Sequence, residues 1–302
     1  MWTILAFISA LCLGFYDISK KIALRDNRVV DVLTISVCVS ALVLSVPLFL
    51  SRLFPDAMSS SYAYVPTMDL KAHLFTLLKS VIVLSSWVFA YISLKHLPIS
   101  VVSPMQATRP MWTLIGALLI FQEHLNTYQW IGILLAIGSI FIFSFKKPAN
   151  RSTLTDNRYY ICLALAILIG SCSGLYDKYL MRQYDHNAVQ VYYTLYQAIM
   201  MFITWSIMNR KLKIKNYELR IKKIGVIVLI SLFLIVSDNV YMLALRDPDS
   251  LIAVVSTIRR GGTVIGFAYG LLFLKEPDPW RKVLCMTGIM AGLICLAIGS
   301  IY

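Results

Sequence analysis

Residues 98–124 read PISVVSPMQATRPMWTLIGALLIFQEH, and this stretch decides the class of the protein. It is one hydrophobic segment, long enough as a helix to cross a bilayer, with Arg109 near its middle. A guanidinium at that depth is costly unless it faces a partner, water or a ligand. A second stretch has the same make-up. Residues 248–277 read PDSLIAVVSTIRRGGTVIGFAYGLLFLKEP, with Arg259 and Arg260 near the middle. Pro98 and Pro248, Ser100 and Ser250, Arg109 and Arg259, and Gly116 and Gly266 each stand 150 residues apart. Both stretches end near a glutamate, Glu123 and Glu276, the second after three extra residues. The two read as matched helices that meet at one central site.

Composition points the same way. Of 302 residues, 59% are hydrophobic and only 14% charged, where a water-soluble domain carries about 25%. This is the composition of an all-α membrane protein that crosses the bilayer many times. The start at Met1–Thr3 lacks the basic region of a cleaved signal, so the first helix is expected to be kept. The six cysteines, Cys12, Cys38, Cys162, Cys172, Cys285 and Cys295, all fall in apolar segments without a CxxC or Cys/His cluster. They read as buried free thiols, with no metal and no cofactor. The net charge of +13 does not mark a nucleic-acid partner. Its basic residues lie mostly in short loops, where they set orientation in the membrane.

At roughly 20 apolar residues per crossing, the sequence predicts ten spans: 2–24, 32–52, 74–95, 99–120, 128–145, 159–181, 188–208, 223–245, 250–273 and 281–301. The polar linker 148–158 separates a first five-helix unit, 1–147, from a second, 159–302. Gly14-Phe15-Tyr16-Asp17 in span one matches Gly174-Leu175-Tyr176-Asp177 in span six, and Tyr91 matches Tyr241. Five crossings are an odd number, so the second unit enters from the opposite side. The expected architecture is a pair of inverted five-helix repeats, as in many secondary transporters. Odd-numbered loops carry most of the lysines and arginines, which places those loops in the cytoplasm and both termini outside.

The candidate site follows from the charges. Gln106, Arg109 and Thr113 share one helical face. Ser256, Arg260 and Thr263 do the same in span nine, with Arg259 about 100° round. That separation argues against both neighbours pointing at one cavity. The functional reading is a cationic floor for an anionic or zwitterionic substrate; the bland one is a set of internal ion pairs. Three acids are placed to balance the arginines: Asp17 and Asp177, each after a tyrosine (Tyr16, Tyr176), and Asp238, followed by Asn239. Lys20 and Lys178 offer Asp17 and Asp177 local partners. Trp87, Trp112, Tyr192, Tyr193, Tyr196 and Gln197 could line a cavity or simply pack. Gly262, Gly266 and Gly270, and Gly288 and Gly292, form small-residue faces suited to close helix packing, in folding or in a homodimer. Pro104 and Pro110 remove backbone donors from span four. No HExxH, GxSxG or P-loop is present, so no enzyme activity is expected, and His73, His96, His124 and His186 read as solvated or capping residues.

Arg109-Pro110, Glu123 thirteen residues beyond that proline, Gln129-Trp130-Ile131-Gly132 and a glycine-spotted last span resemble the EamA-type transporters of the drug/metabolite transporter superfamily. The second half departs from that pattern, with Thr263 where the proline would stand. The resemblance implies a cavity lined by spans 1, 3, 4, 6, 8 and 9, and both termini in the cytoplasm, against the loop charges. It also implies alternating-access transport of a small metabolite, usually export, across the cytoplasmic or inner membrane. A flippase for a phosphate-bearing lipid carrier is the alternative.

Overall fold

The computed structural model describes residues 2–109, 111–113, 115, 126–144, 155–181, 183–211, 221–246, 252–275 and 279–299. Pro110, Gly116, Glu123, His124, most of the linker, Pro248, Ser250 and Glu276 lie outside the described residues, as do the side chains of Gln129, Lys178 and Ser256. Every described element is a helix: α1 (Trp2–Asp26), α2 (Val29–Leu53), α3 (Pro55–Ser59), α4 (Leu70–His96), α5 (Ile99–Ala107), α6 (Thr127–Ser144), α7 (Thr155–Met181), α8 (His186–Lys211), α9 (Ile224–Arg246), α10 (Ile252–Gly261), α11 (Thr263–Leu272) and α12 (Pro279–Gly299). Among the described residues, five helices are long and apolar enough to cross a membrane: α1, α2, α4, α7 from Asn157, and α9 to Ala244.

Local chemistry sets several of the ends. The Asp69 carboxylate caps α4 by accepting from the Ala72 N–H at 3.2 Å. Asp185 caps α8 by accepting from the N–H groups of Asn187 (2.9 Å) and Ala188 (3.2 Å). Pro98 forces its predecessor into extended backbone, and Leu97, with ψ 153, ends α4 there.

The expected spans four and nine are not single helices. α5 stops at Ala107, and Thr108 makes a tighter turn through its N–H to Met105 O at 3.2 Å. Pro104 and Pro110 withhold two backbone donors from this region, which weakens the regular ladder. The other break falls at Gly262, whose N–H reaches Arg259 O at 3.3 Å. Gly261-Gly262 pairs two of the poorest helix formers after proline. Each break stands within two residues of an arginine.

The strongest packing joins early helices to late ones: α1 along α9, α4 along α7, α2 along α8, α5 on α11 and α6 along α12. The small-residue faces are used in these contacts. A Cβ on Gly14 of α1 would come within 2.8 Å of Gly262 O, and one on Gly262 would collide with Ala10 O. A Cβ on Gly288 of α12 would collide with Ser139 of α6. The polarity is inside-out. Phe7, Leu42, Phe49, Leu74, Ile161 and Phe202 are exposed, while Lys20, Asp31, Lys79 and many serines are buried. Such an exterior suits hydrocarbon. The six cysteines are free, but only Cys285 is fully buried and Cys172 is exposed, which corrects the uniform burial expected. His186, expected to be solvated or capping, is buried at 5% exposure and opens α8.

Replacing Gly262 by Val should lower the unfolding temperature of the purified protein, at a cost of at least about 1–3 kcal/mol. Gly138→Ala should not, because an added Cβ there has no neighbour within 4 Å. Tryptophan-fluorescence melts in detergent compare the two.

Candidate functional site

The broken helices, with α1, α4, α7, α8 and α9, surround a cavity of about 140 Å³. Its charged lining is five cations and three carboxylates: Lys20, Lys79, Arg109, Arg259 and Arg260 against Asp17, Asp177 and Asp238. Tyr16, Trp87, Tyr91, Gln106, Tyr193 and Tyr241 complete much of the wall.

Each carboxylate is already held. Asp17 pairs with Lys20 one turn along α1, at 2.7 Å. Asp177 pairs with Lys79 of α4, and this corrects the local pairing with Lys178 expected for it. Asp238 pairs with Arg259 and accepts from the Tyr193 hydroxyl at 2.9 Å. The same cations also lie over aromatic faces. Lys20 Nζ is 4.0 Å from the Tyr16 ring centre and 5.3 Å from that of Tyr91. Lys79 Nζ is 4.9 Å from the Tyr193 ring and the Arg259 guanidinium 4.1 Å from that of Tyr241. Tyr91 and Tyr241, the pair 150 residues apart, thus both lie under cations.

Arg109 and Arg260 differ from the rest. Neither has a carboxylate within ion-pair distance among the described residues. The Arg109 guanidinium donates to Ala166 O at 3.3 Å and to Ser86 Oγ at 3.5 Å, and its buried Nε has no partner. It lies flat against α7 because Gly170 has no side chain. A Cβ there would stand 2.7 Å from Arg109 Cζ. Arg259 and Arg260 line the same cavity, contrary to the helical-wheel argument. Arg259 reaches sideways to Asp238 and Tyr241, and its length makes up for the angle.

Of the twelve residues expected to bind substrate, nine line this cavity: Tyr16, Asp17, Trp87, Gln106, Arg109, Asp177, Asp238, Arg259 and Arg260. Three do not. Asn239 turns to Asn187 and Gln190, at 3.4 and 3.1 Å. The Tyr176 hydroxyl donates to Phe75 O at 3.1 Å. Trp112 packs in the apolar clusters around Met111 and Leu13. Tyr192 and Tyr196 gather instead on His73, which bonds the Tyr196 hydroxyl at 2.8 Å. Lys79, Ser86 and Gly170 were missed by sequence reasoning. Lys79 carried a signal, a lone charge well inside an apolar span.

Residues 1–145 match the EamA-like transporter family. The match covers 145 of the 302 residues, just under half of the chain. With five helices among the described residues long and apolar enough to cross a membrane, the chain is a multi-pass helical membrane protein whose first half is similar to a family of transporters. A solved crystal structure of another protein shares its fold, with a TM-score of 0.66 over 98% of each chain at 9% identity. That likeness concerns the fold alone. No curated protein matches the chain.

Removing one partner of an enclosed ion pair leaves the other uncompensated, at about 3–5 kcal/mol. Asp238→Asn should therefore lower the melting temperature more than the double variant Asp238→Asn/Arg259→Gln does. A double-mutant cycle on purified protein reads the coupling directly. Additive losses would mean that the pair does not act as a unit.

Proposed function

We propose that this protein is a secondary transporter for a small metabolite bearing an anionic group, working by alternating access. The observation that carries the reading is the cavity's charge balance. Five cations and three carboxylates leave an excess of two positive charges, held by Arg109 and Arg260 in a space of about 140 Å³. Internal ion pairing accounts for the other six groups and leaves these two unexplained. Guanidinium suits carboxylate or phosphate as a fork-shaped donor.

The breaks at Thr108 and Gly262 support the same reading. Irregular backbone at membrane depth is tolerated where it lines a cavity, and transporters place their sites at such breaks. We further propose that units 1–147 and 159–302 are inverted repeats. Helix pairing supports this: α1 lies on α9 as α7 lies on α4, while α2–α8, α5–α11 and α6–α12 pair like with like. The two units would rock about the cavity between them. Residence in the cytoplasmic membrane and export are parts of the proposal that rest on the family resemblance.

Arg109→Gln should reduce uptake of substrate by proteoliposomes at least about 100-fold, the scale of losing a charge-assisted hydrogen bond or two. The variant should still purify as a monodisperse, folded protein. Wild-type transport by Arg109→Gln would remove Arg109 as the anchor.

A further inference from the structure

We propose that the cavity selects a small dianion without an ammonium group, a short dicarboxylate or a phosphate monoester. This rests on the transport reading above and narrows its substrate class. The reason lies in what the cavity has left to offer. An ammonium group enclosed at membrane depth needs a free carboxylate to neutralise it, and an aromatic face, such as Trp87 in the wall, supplies no negative charge. All three carboxylates are engaged: Asp17 by Lys20, Asp177 by Lys79, and Asp238 by Arg259 and Tyr193. The tyrosines nearest these groups already lie under cations of the protein itself, Tyr16 and Tyr91 under Lys20, Tyr193 under Lys79 and Tyr241 under Arg259. A zwitterion would bring its positive end into a lining that already carries two positive charges too many.

Anion recognition has the opposite situation. Arg109 has a buried Nε without a partner, and Nη2 donates only to the neutral acceptors Ser86 Oγ and Ala166 O. Arg260 has no ion pair among the described residues. A single negative charge would compensate one of them and leave the other enclosed and bare. Two negative charges on one small molecule neutralise both, and bring the lining of five cations and three carboxylates to balance. Substrate and site would then move between the two faces of the membrane with no net charge, which removes the cost of carrying uncompensated charge through the low-dielectric centre.

The test is isothermal titration calorimetry on the full chain in lipid nanodiscs, at about pH 7.5, above the second pKa of a phosphate monoester at about 6. The ligands are acetate, succinate, ethyl phosphate, dodecyl phosphate and alanine. Succinate or ethyl phosphate should bind at least about tenfold more tightly than acetate, the scale of one added charge-assisted contact. Alanine should bind no better than acetate. Preference for succinate assigns dicarboxylates, and preference for ethyl phosphate assigns phosphate monoesters. Tighter binding of dodecyl phosphate than of ethyl phosphate assigns a lipid-borne phosphate of the same charge. Arg260→Gln should bring dianion binding down to the level of acetate. Alanine binding as tightly as the dianions overturns the inference. Acetate and the dianions binding equally to the wild type overturns it too, and leaves the broader anion reading standing. If no anion of either charge binds, both fall. The wild-type series alone decides between these outcomes, whether or not the variant folds.

Discussion

A charged side chain surrounded by hydrocarbon must find a countercharge, a dipole, water or a ligand, and this requirement organises the interior of the protein. Eight charged side chains, from α1, α4, α7, α9, α10 and the break after α5, meet in the middle of the bundle. Six of them neutralise each other in three pairs. Two of the pairs tie α4 to α7 and α9 to α10 and so help fix where those helices meet, while the third lies within α1. Buried ion pairs of this kind add little net stability over apolar packing. Their effect here is to set registry and to leave two guanidiniums uncommitted.

Close helix approach makes the cavity possible. Gly14 and Gly262 let α1 and the break between α10 and α11 touch backbone to backbone. Gly170 gives the Arg109 head a flat bed on α7. The breaks at Thr108 and Gly262 release backbone groups from the regular ladder beside the arginines. Packing, backbone irregularity and charge thus coincide at one level of the bundle. The strongest packing joins early helices to late ones, and the early and late helices that line the cavity meet at this level.

Much of this is legible in the sequence because a charge in an apolar run is a high-contrast signal. Arg109, Arg259, Arg260 and Asp238 can be read that way, and all four line the cavity. Direction and distance cannot be read so easily. Asn239 and Tyr176 each neighbour a lining aspartate, but one residue along a helix is a turn of about 100°, and both face elsewhere. Sequence proximity pairs Asp177 with the lysine beside it, whereas its partner Lys79 lies 98 residues away and reaches it only because α4 packs on α7. Span nine reads as continuous by hydropathy, which does not register the weak helix propensity of Gly261-Gly262.

The central claim is that Arg109 and Arg260 look into one shared hollow and wait there for negative charge. Anomalous diffraction from crystals soaked in selenate tests it most directly. The account predicts a selenium peak inside the bundle, within hydrogen-bonding distance of both guanidiniums. Peaks confined to the loop arginines, or Arg109 and Arg260 in separate places with side chains between them, would contradict it.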